Sequence, residues 1–149
     1  MRAVIRTIAV IAVAGAPMLR AHAVCLDEHG ISGYHVPLDK EFREAYVVAI
    51  GTVVAEKHVS ERPPFWLAGT SYRFRVDETL RGHRYKTLNL FSENTTGRFP
   101  MDIGEKYLVF VTKDRDVFGV SNCGNSTVVS GQSHVVQQVK EMARLEGKR

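Results

Sequence analysis

The chain has 149 residues, of which 44% are hydrophobic and 24% charged, and a formal net charge of +4. The first 23 residues hold three arginines and no acidic residue, so the other 126 carry 17 basic against 16 acidic residues, a net charge of +1. Nucleic-acid binding and electrostatic attachment to anionic lipid both need a clustered basic surface, so this balance argues against them. The length suits one domain with its own core and is too short for two.

The amino terminus has the three parts of a cleavable signal peptide. Met1–Arg6 is short and basic, Thr7–Leu19 is an apolar run, and Ala21–Ala23 has the small-x-small pattern that signal peptidase recognises. Cleavage after Ala23 predicts a signal peptide over residues 1–23 and a mature domain over residues 24–149. The expected location is therefore secreted or periplasmic.

Export would place the chain in an oxidising compartment, where its two cysteines, Cys25 and Cys123, can pair. The apolar run is too short for a membrane anchor, which needs about 20 residues, although an uncleaved anchor remains the alternative. A lipoprotein needs a small residue directly before the cysteine, and Val24 is too large. We expect no membrane attachment after cleavage.

The first predicted elements of the mature chain are a short helix and a long strand. Asp39 is expected to cap a helix over Lys40–Glu44. The following run, Ala45–Ala55, is β-branched and apolar on both alternations, which predicts a strand buried on both faces. Gly51 in its middle predicts a bulge or a sharp coil of the sheet. His58–Gly69 contains two prolines and is predicted to be a loop.

In the rest of the chain, apolar and polar residues alternate more regularly. Ser71–Leu80 predicts a half-buried strand, with Tyr72, Phe74 and Val76 on one face and Arg73, Arg75 and Asp77 on the other. Three further strands are predicted, at Thr87–Phe91, Lys106–Val111 and Val117–Ser121. A closing helix capped by Ser133 carries an apolar face made of Val135, Val136, Val139, Met142 and Ala143.

Five short strands separated by turn signals, with one terminal helix, predict a small, curled β-barrel with a helix packed against it. An immunoglobulin-like sandwich is the alternative. That fold would need about seven strands and a tryptophan between two cysteines, whereas Trp66 lies in the proline-rich loop. The sandwich is therefore the weaker interpretation.

Several blocks of the sequence together resemble a known family. They are Phe42–Val54, Tyr72–Val76, Leu80–Gly82, Gly104–Phe110 with its Gly-x-x-Tyr-Leu-Val-Phe pattern, and Ser121–Cys123. This series resembles the tissue inhibitors of metalloproteinases, within the netrin-like superfamily, over nearly the whole mature chain. The resemblance implies an all-β fold with a flanking helix, namely a five-stranded OB-fold-like Greek-key barrel with a C-terminal helix.

In those inhibitors the mature chain opens with Cys-x-Cys, and the first cysteine chelates the catalytic zinc of the protease through its amine and carbonyl. By the resemblance, Cys25 matches the second cysteine and Cys123 matches its disulfide partner. The chelating position falls on Ala23, which the expected cleavage removes. The loop Ser92–Phe99 holds no cysteine to form the second bridge of the inhibitory edge.

The resemblance also implies where a partner would bind: the start of the mature chain, the loop after the third strand, and the surroundings of Cys123. The residues expected there are Val24, Cys25, Leu26, Asp27, Phe91, Ser92, Glu93 and Asn94. The expected function is that of an exported protein-binding domain, with a zinc metalloprotease as the candidate partner. The alternative is a non-inhibitory netrin-like adhesion or assembly module that binds another exported protein.

Motifs for catalysis are missing from the sequence. It contains no His-x-x-x-His, Gly-x-Ser-x-Gly, phosphate loop or dinucleotide fingerprint, so we expect no enzyme, no cofactor and no intrinsic metal. An enzyme whose site is not readable from sequence is the third hypothesis. Asn94–Thr96 and Asn125–Thr127 fit the glycosylation sequon, but turn chemistry is the favoured explanation for both.

Overall fold

The computed structural model describes Cys25 and residues 35–60, 67–131 and 133–147. In chain order the elements are α1 Leu38–Glu44, β1 Val47–Ser60, β2 Leu67–Gly82, β3 Thr87–Glu93, β4 Lys106–Asp114, β5 Val117–Gly119, β6 Thr127–Val128 and α2 Ser133–Glu146. The predicted signal peptide lies outside the described residues, as do Val24, Leu26, Asp27 and Trp66.

Five of the described strands close into a ring. β1 pairs with β2, β2 with β3, and β4 with both β5 and β1, all antiparallel, while β3 and β5 run parallel. The parallel contact is short, joining Leu90 to Phe118 and Phe91 to Gly119. β6 adds to β4 outside the ring. The prediction of a mostly β fold with a C-terminal helix is confirmed.

β1 is apolar on both alternations because it separates two hydrophobic cores. Val47, Ala49 and Val53 of β1 point into the ring, where they meet side chains from every other strand of the ring. Val48 and Ile50 point outward. The outer core also holds Phe42, Ala45, Leu108, Phe110, Val136 and Val139. The predicted burial on both faces is thus confirmed for the first half of β1.

The helices cover the outer core, and one prediction about them is wrong. α2 begins at Ser133 itself, the residue expected to cap it, and buries Val136 and Val139 with the rest of its predicted apolar face packed around them. α1 begins at Leu38 after Pro37, which makes no side-chain cap. Asp39 therefore lies inside the first turn and pairs with Arg43 at 2.9 Å instead of capping the helix.

Several strand boundaries differ from the predicted ones, and β3 and β4 also run on to Glu93 and Asp114. β1 and β2 extend into the predicted loop, pairing Val59 with Gly69 and Ser60 with Leu67, because two long antiparallel arms hold each other beyond the ring. β5 ends at Gly119, before the predicted Ser121. β6 was not predicted, since two residues give no periodicity to detect.

β2 confirms its predicted alternation. Tyr72 and Phe74 are buried in the inner core, while Arg73 and Arg75 are exposed on the other face. Arg75 and Lys106 both pair with Asp77, at 3.6 and 2.9 Å. This face is a solvated surface, as expected, and Asp77 is shared by two cations.

The two ends of the inner core are closed by different segments. At one end the chain after β3 buries Phe99 and Met101, and the hydroxyl of Tyr72 accepts a hydrogen bond from the Met101 N–H at 3.3 Å. At the other end Tyr46, Tyr85 and Phe118 stack edge to face or offset, with ring centroids 5.6–5.9 Å apart. We call these three rings the aromatic lid.

Candidate functional site

The disulfide predicted between Cys25 and Cys123 is present, with Cα atoms 5.4 Å apart and a sequence separation of 98. Cys25 is 6% exposed and Cys123 is half-buried, so the bridge is largely shielded from solvent. Cys123 follows β5, and the Cys123 N–H donates to Ser121 Oγ at 3.1 Å. The bridge fixes the amino-terminal segment to the chain that leaves β5.

The turn after β3 lies directly beside this bridge. The Asn122 N–H donates to the Gly97 carbonyl at 2.9 Å. A Cβ placed on Gly97 would lie 3.9 Å from Cys123 Sγ and 3.4 Å from Ser121 Oγ. The Thr95 hydroxyl holds the turn by accepting the Gly97 N–H at 3.2 Å. The bridge, which includes Cys25 of the predicted partner edge, and the turn that follows β3 are therefore neighbours.

The other predicted edge residues divide into exposed and buried positions. Phe91 lies in β3, as its predicted strand has it, and β3 continues through Ser92 and Glu93, which corrects the expected place of these two residues in a loop. Ser92 is fully buried and accepts the Phe99 N–H at 2.8 Å, so its hydroxyl holds the following segment in place. Glu93 and Asn94 are exposed, and Phe91 is half-buried. The solvent-accessible surface on this side is thus formed by Phe91, Glu93 and Asn94.

Behind the bridge, a carboxylate that the sequence analysis did not single out ties α1 to the segment after Cys123. Glu41 Oε2 accepts hydrogen bonds from the Asn125 N–H at 2.7 Å and from Asn125 Nδ2 at 2.6 Å. Asn125 Nδ2 also donates to the Val36 carbonyl at 2.8 Å. Burial raises the pKa of Glu41, while the hydrogen bonds from Asn125 act in the opposite direction.

This link also bears on the second sequon. Asn125 Nδ2 is the atom that glycosylation would modify, and it already donates to two acceptors inside the protein. The turn explanation for Asn125–Thr127 is thereby favoured. Glu41 and Asn125 are 84 residues apart, and no local pattern in the sequence connects them.

A groove of about 350 Å³ opens on the outer face of β3, β4 and β5, next to the turn that follows β3. We call it the β3–β5 groove. Its lining residues are Phe91, Glu93, Thr95, Gly97, Thr112, Asp114, Val117, Gly119, Val120 and Ser121. Alternation along the β4–β5 hairpin turns Lys113 and Phe118 to the opposite face, where Lys113 Nζ lies 5.0 Å from the ring centroid of Tyr46 in the aromatic lid.

Both cysteines are joined in the disulfide, so neither is a thiol nucleophile. Within the described ranges, no group of three or more His, Cys, Asp or Glu side chains is placed to hold a metal ion. None of the helices that the structure describes is long and apolar enough to cross a membrane.

No protein-family model matches the chain, and no curated protein matches it.

Proposed function

We propose that this chain is an exported binding domain that uses its disulfide end to bind another exported protein. In the sharper form of the proposal, that protein is a zinc metalloprotease and the mature amino terminus enters its active-site cleft. The observation that carries the proposal is the contact between the Cys25–Cys123 bridge and the turn after β3, where Asn122 donates to Gly97. This contact joins two chain segments into one continuous edge.

The fold supports the resemblance to the tissue inhibitors of metalloproteinases and to netrin-like domains. A strand order of β1-β2-β3-β5-β4, with β4 returning to β1, is the arrangement expected of the OB-fold that this resemblance implies. The helix α2 packs outside the ring, as the resemblance implies for the C-terminal helix. We therefore interpret the ring as an OB-fold.

The bridge gives the edge a physical advantage in binding. Cleavage after Ala23 would leave Val24 as the first residue, one position from the buried Cys25. A terminus held that close to a rigid core loses less conformational entropy on binding than a free tail does. The Val24 amine would then be the group presented to a catalytic zinc, one position later than in the resembled family.

The test begins with the amino terminus of the exported protein. Mass spectrometry of the mature chain should give Val24 as its first residue, and titration against a panel of zinc metalloproteases should show inhibition at micromolar protein or below. The matched control is the same mature chain with its Val24 amine acetylated, which removes the chelating group and leaves the fold unchanged. Equal inhibition by both forms would contradict zinc chelation by the amine.

The second candidate is a netrin-like assembly module that binds an exported protein without touching zinc. It is favoured by the presence of a single bridge, because the chain has two cysteines and the turn after β3 is held to Asn122 by a hydrogen bond alone. Absence of inhibition across the panel, with Val24 correctly exposed, would overturn the inhibitor form and leave this one.

A further inference from the structure

The β3–β5 groove has a simple structural origin. Register places Gly119 of β5 between Phe91 of β3 and Thr112 of β4, so these three residues form one row across the outer face. Gly119 has no side chain, and a Cβ added there would come within 2.9 Å of Thr112 Oγ1. The missing side chain leaves a depression between the two neighbours. The groove is thus built by the register of the ring and not by a loose loop.

The groove combines an apolar floor with an acidic rim. Phe91, Val117 and Val120 supply the apolar surface, and Val117 is 50% exposed although it lies in a strand. Glu93 of β3 and Asp114 of β4 both line the groove, and neither carboxylate forms an ion pair with another described residue.

Charge in the groove is of one sign. The lining residues that the structure describes include two acids and no lysine, arginine or histidine. Arg98 and Arg115 are close in sequence but do not line the groove. A neighbouring hollow of about 220 Å³, which shares Thr112 and Ser121 with the groove, adds the exposed carboxylate of Glu44. The chemistry of the surface is complementary to a cation with an apolar stem.

We propose that the β3–β5 groove binds a lysine or arginine side chain presented by a partner protein. The methylene stem would lie on Phe91 and Val117 while the cationic head meets Glu93 and Asp114, which is how such side chains bury their stems and keep their charges paired. The volume of about 350 Å³ is at the lower end for ligand sites and suits a single side chain. The inference rests on the proposed function, because it names the chemistry of the protein partner.

The probe is a blocked pentapeptide with one central lysine among alanines, titrated into the ¹⁵N-labelled mature chain. Amide signals of the groove, from Phe91 to Thr95 and from Thr112 to Ser121, should shift and saturate. The same peptide with norleucine keeps the stem and lacks the ammonium, and we expect it to bind at least tenfold more weakly. Equal binding of the two peptides, or no shift with either, would overturn the proposal.

Substitutions test whether the carboxylates of Glu93 and Asp114 bind the lysine peptide. Glu93→Gln combined with Asp114→Asn should weaken lysine-peptide binding about tenfold, the loss expected for two exposed charge pairs. Glu56→Gln is the control, because it removes one exposed acid on β1, outside the groove. It should leave the affinity for the lysine peptide unchanged. Val117→Lys supplies a competing cation at an exposed position and should also weaken binding.

Two outcomes separate this inference from other occupants and from the proposed function. Saturation of the same amide signals by calcium chloride, with displacement of the peptide, would make the groove a cation site and overturn the inference. Lysine-peptide binding by a chain that inhibits none of the proteases would leave the groove intact and refute only the inhibitor form. Inhibition by a chain that binds no lysine peptide would refute the inference about the groove and leave the inhibitor form intact.

Discussion

At the scale of single residues, Gly51 and Glu41 each have close neighbours that make a substitution there informative. Gly51 lies at a register shift in β1, where a Cβ would come 2.6 Å from Phe74 Cε1 and would also meet the Arg75 carbonyl. Glu41 lies half-buried behind the disulfide, with its carboxylate engaged by Asn125. One position tests packing inside the ring, and the other tests electrostatics beside the candidate site.

We expect Gly51→Ala to lower the free energy of unfolding by about 1–3 kcal/mol, the cost of forcing an extra carbon into a filled core. Urea denaturation would measure the loss. Gly97→Ala is the matched control, since its new Cβ meets nothing nearer than Ser121 Oγ at 3.4 Å. Equal losses in the two variants would show that the close approach to Phe74 is relieved by movement of the strands.

Glu41→Gln should change how stability depends on pH. Burial raises the pKa of Glu41 above its ordinary value of 4.5, so the folded chain holds this proton more tightly than the unfolded chain does. Between 4.5 and the raised pKa, stability is therefore lost as pH increases, and the loss is complete above that range. Glutamine cannot ionise and still offers Asn125 an acceptor oxygen.

The pH dependence is tested by urea denaturation. The native chain and the Glu41→Gln variant are compared at a series of pH values. We expect the difference in unfolding free energy to move in favour of the glutamine variant as the pH rises from 4.5. A difference that moves the other way would mean that the hydrogen bonds from Asn125 outweigh burial and that the pKa is lowered in the folded chain.

At the scale of elements, β1 and β4 are walls shared by two cores. Inward residues such as Val109 fill the ring, and outward residues such as Leu108 and Phe110 support α1 and α2. Arg81 fastens this outer layer: its Nη1 donates to the Ala45 carbonyl, and its Nε lies 3.4 Å from Glu146 of α2. The outer core therefore links the start of the described fold to its final helix.

The contribution of α2 can be measured by a pair of truncations on one helix. Val139→Ala removes two buried methyl groups at a fully buried position and should cost about 2 kcal/mol of unfolding free energy. Val135→Ala removes the same atoms at a half-buried position and should cost clearly less. If the two losses are equal in thermal or urea unfolding, α2 does not pack in the register described.

At the scale of the whole molecule, the disulfide closes most of the fold into one covalent loop. Its ends are 98 residues apart, and a chain-entropy model gives a stabilisation of about 4.7 kcal/mol for a loop of about 100 residues. All residues of the inner core belong to β1–β5 or to the segments between β3 and β4 and directly after β5. The core itself does not include either cysteine.

Replacing both cysteines by serine should therefore lower the unfolding free energy by up to about 4.7 kcal/mol while leaving the ring folded. Near-ultraviolet circular dichroism would report the packing of the core, and urea denaturation would report the loss of stability. A reducing agent should destabilise the native chain to the same extent and should not affect the double variant. Loss of the circular dichroism signal in the double variant without urea would contradict this account.

The features that could be predicted from the sequence are those set by short stretches of the chain. Alternation identified the strand containing Tyr72 and Phe74, and the doubly apolar run through Val48 indicated burial on two faces. The groove was not predictable, because it depends on Gly119 being placed opposite residues from two other strands. The bond between Glu41 and Asn125 has the same origin, since it is set by the closing of the ring and not by neighbours in the chain.

The position of the bridge also determines how the molecule would carry mechanical load. A force applied between Cys25 and Arg149 would pass along the covalent chain through the sulfur atoms to Cys123, bypassing every strand of the ring. Extension would then be confined to the 26 residues beyond Cys123, which span roughly 90 Å when stretched. β6 and α2 would separate from the ring first, and the covalent chain of the ring would bear tension only after the bridge is reduced.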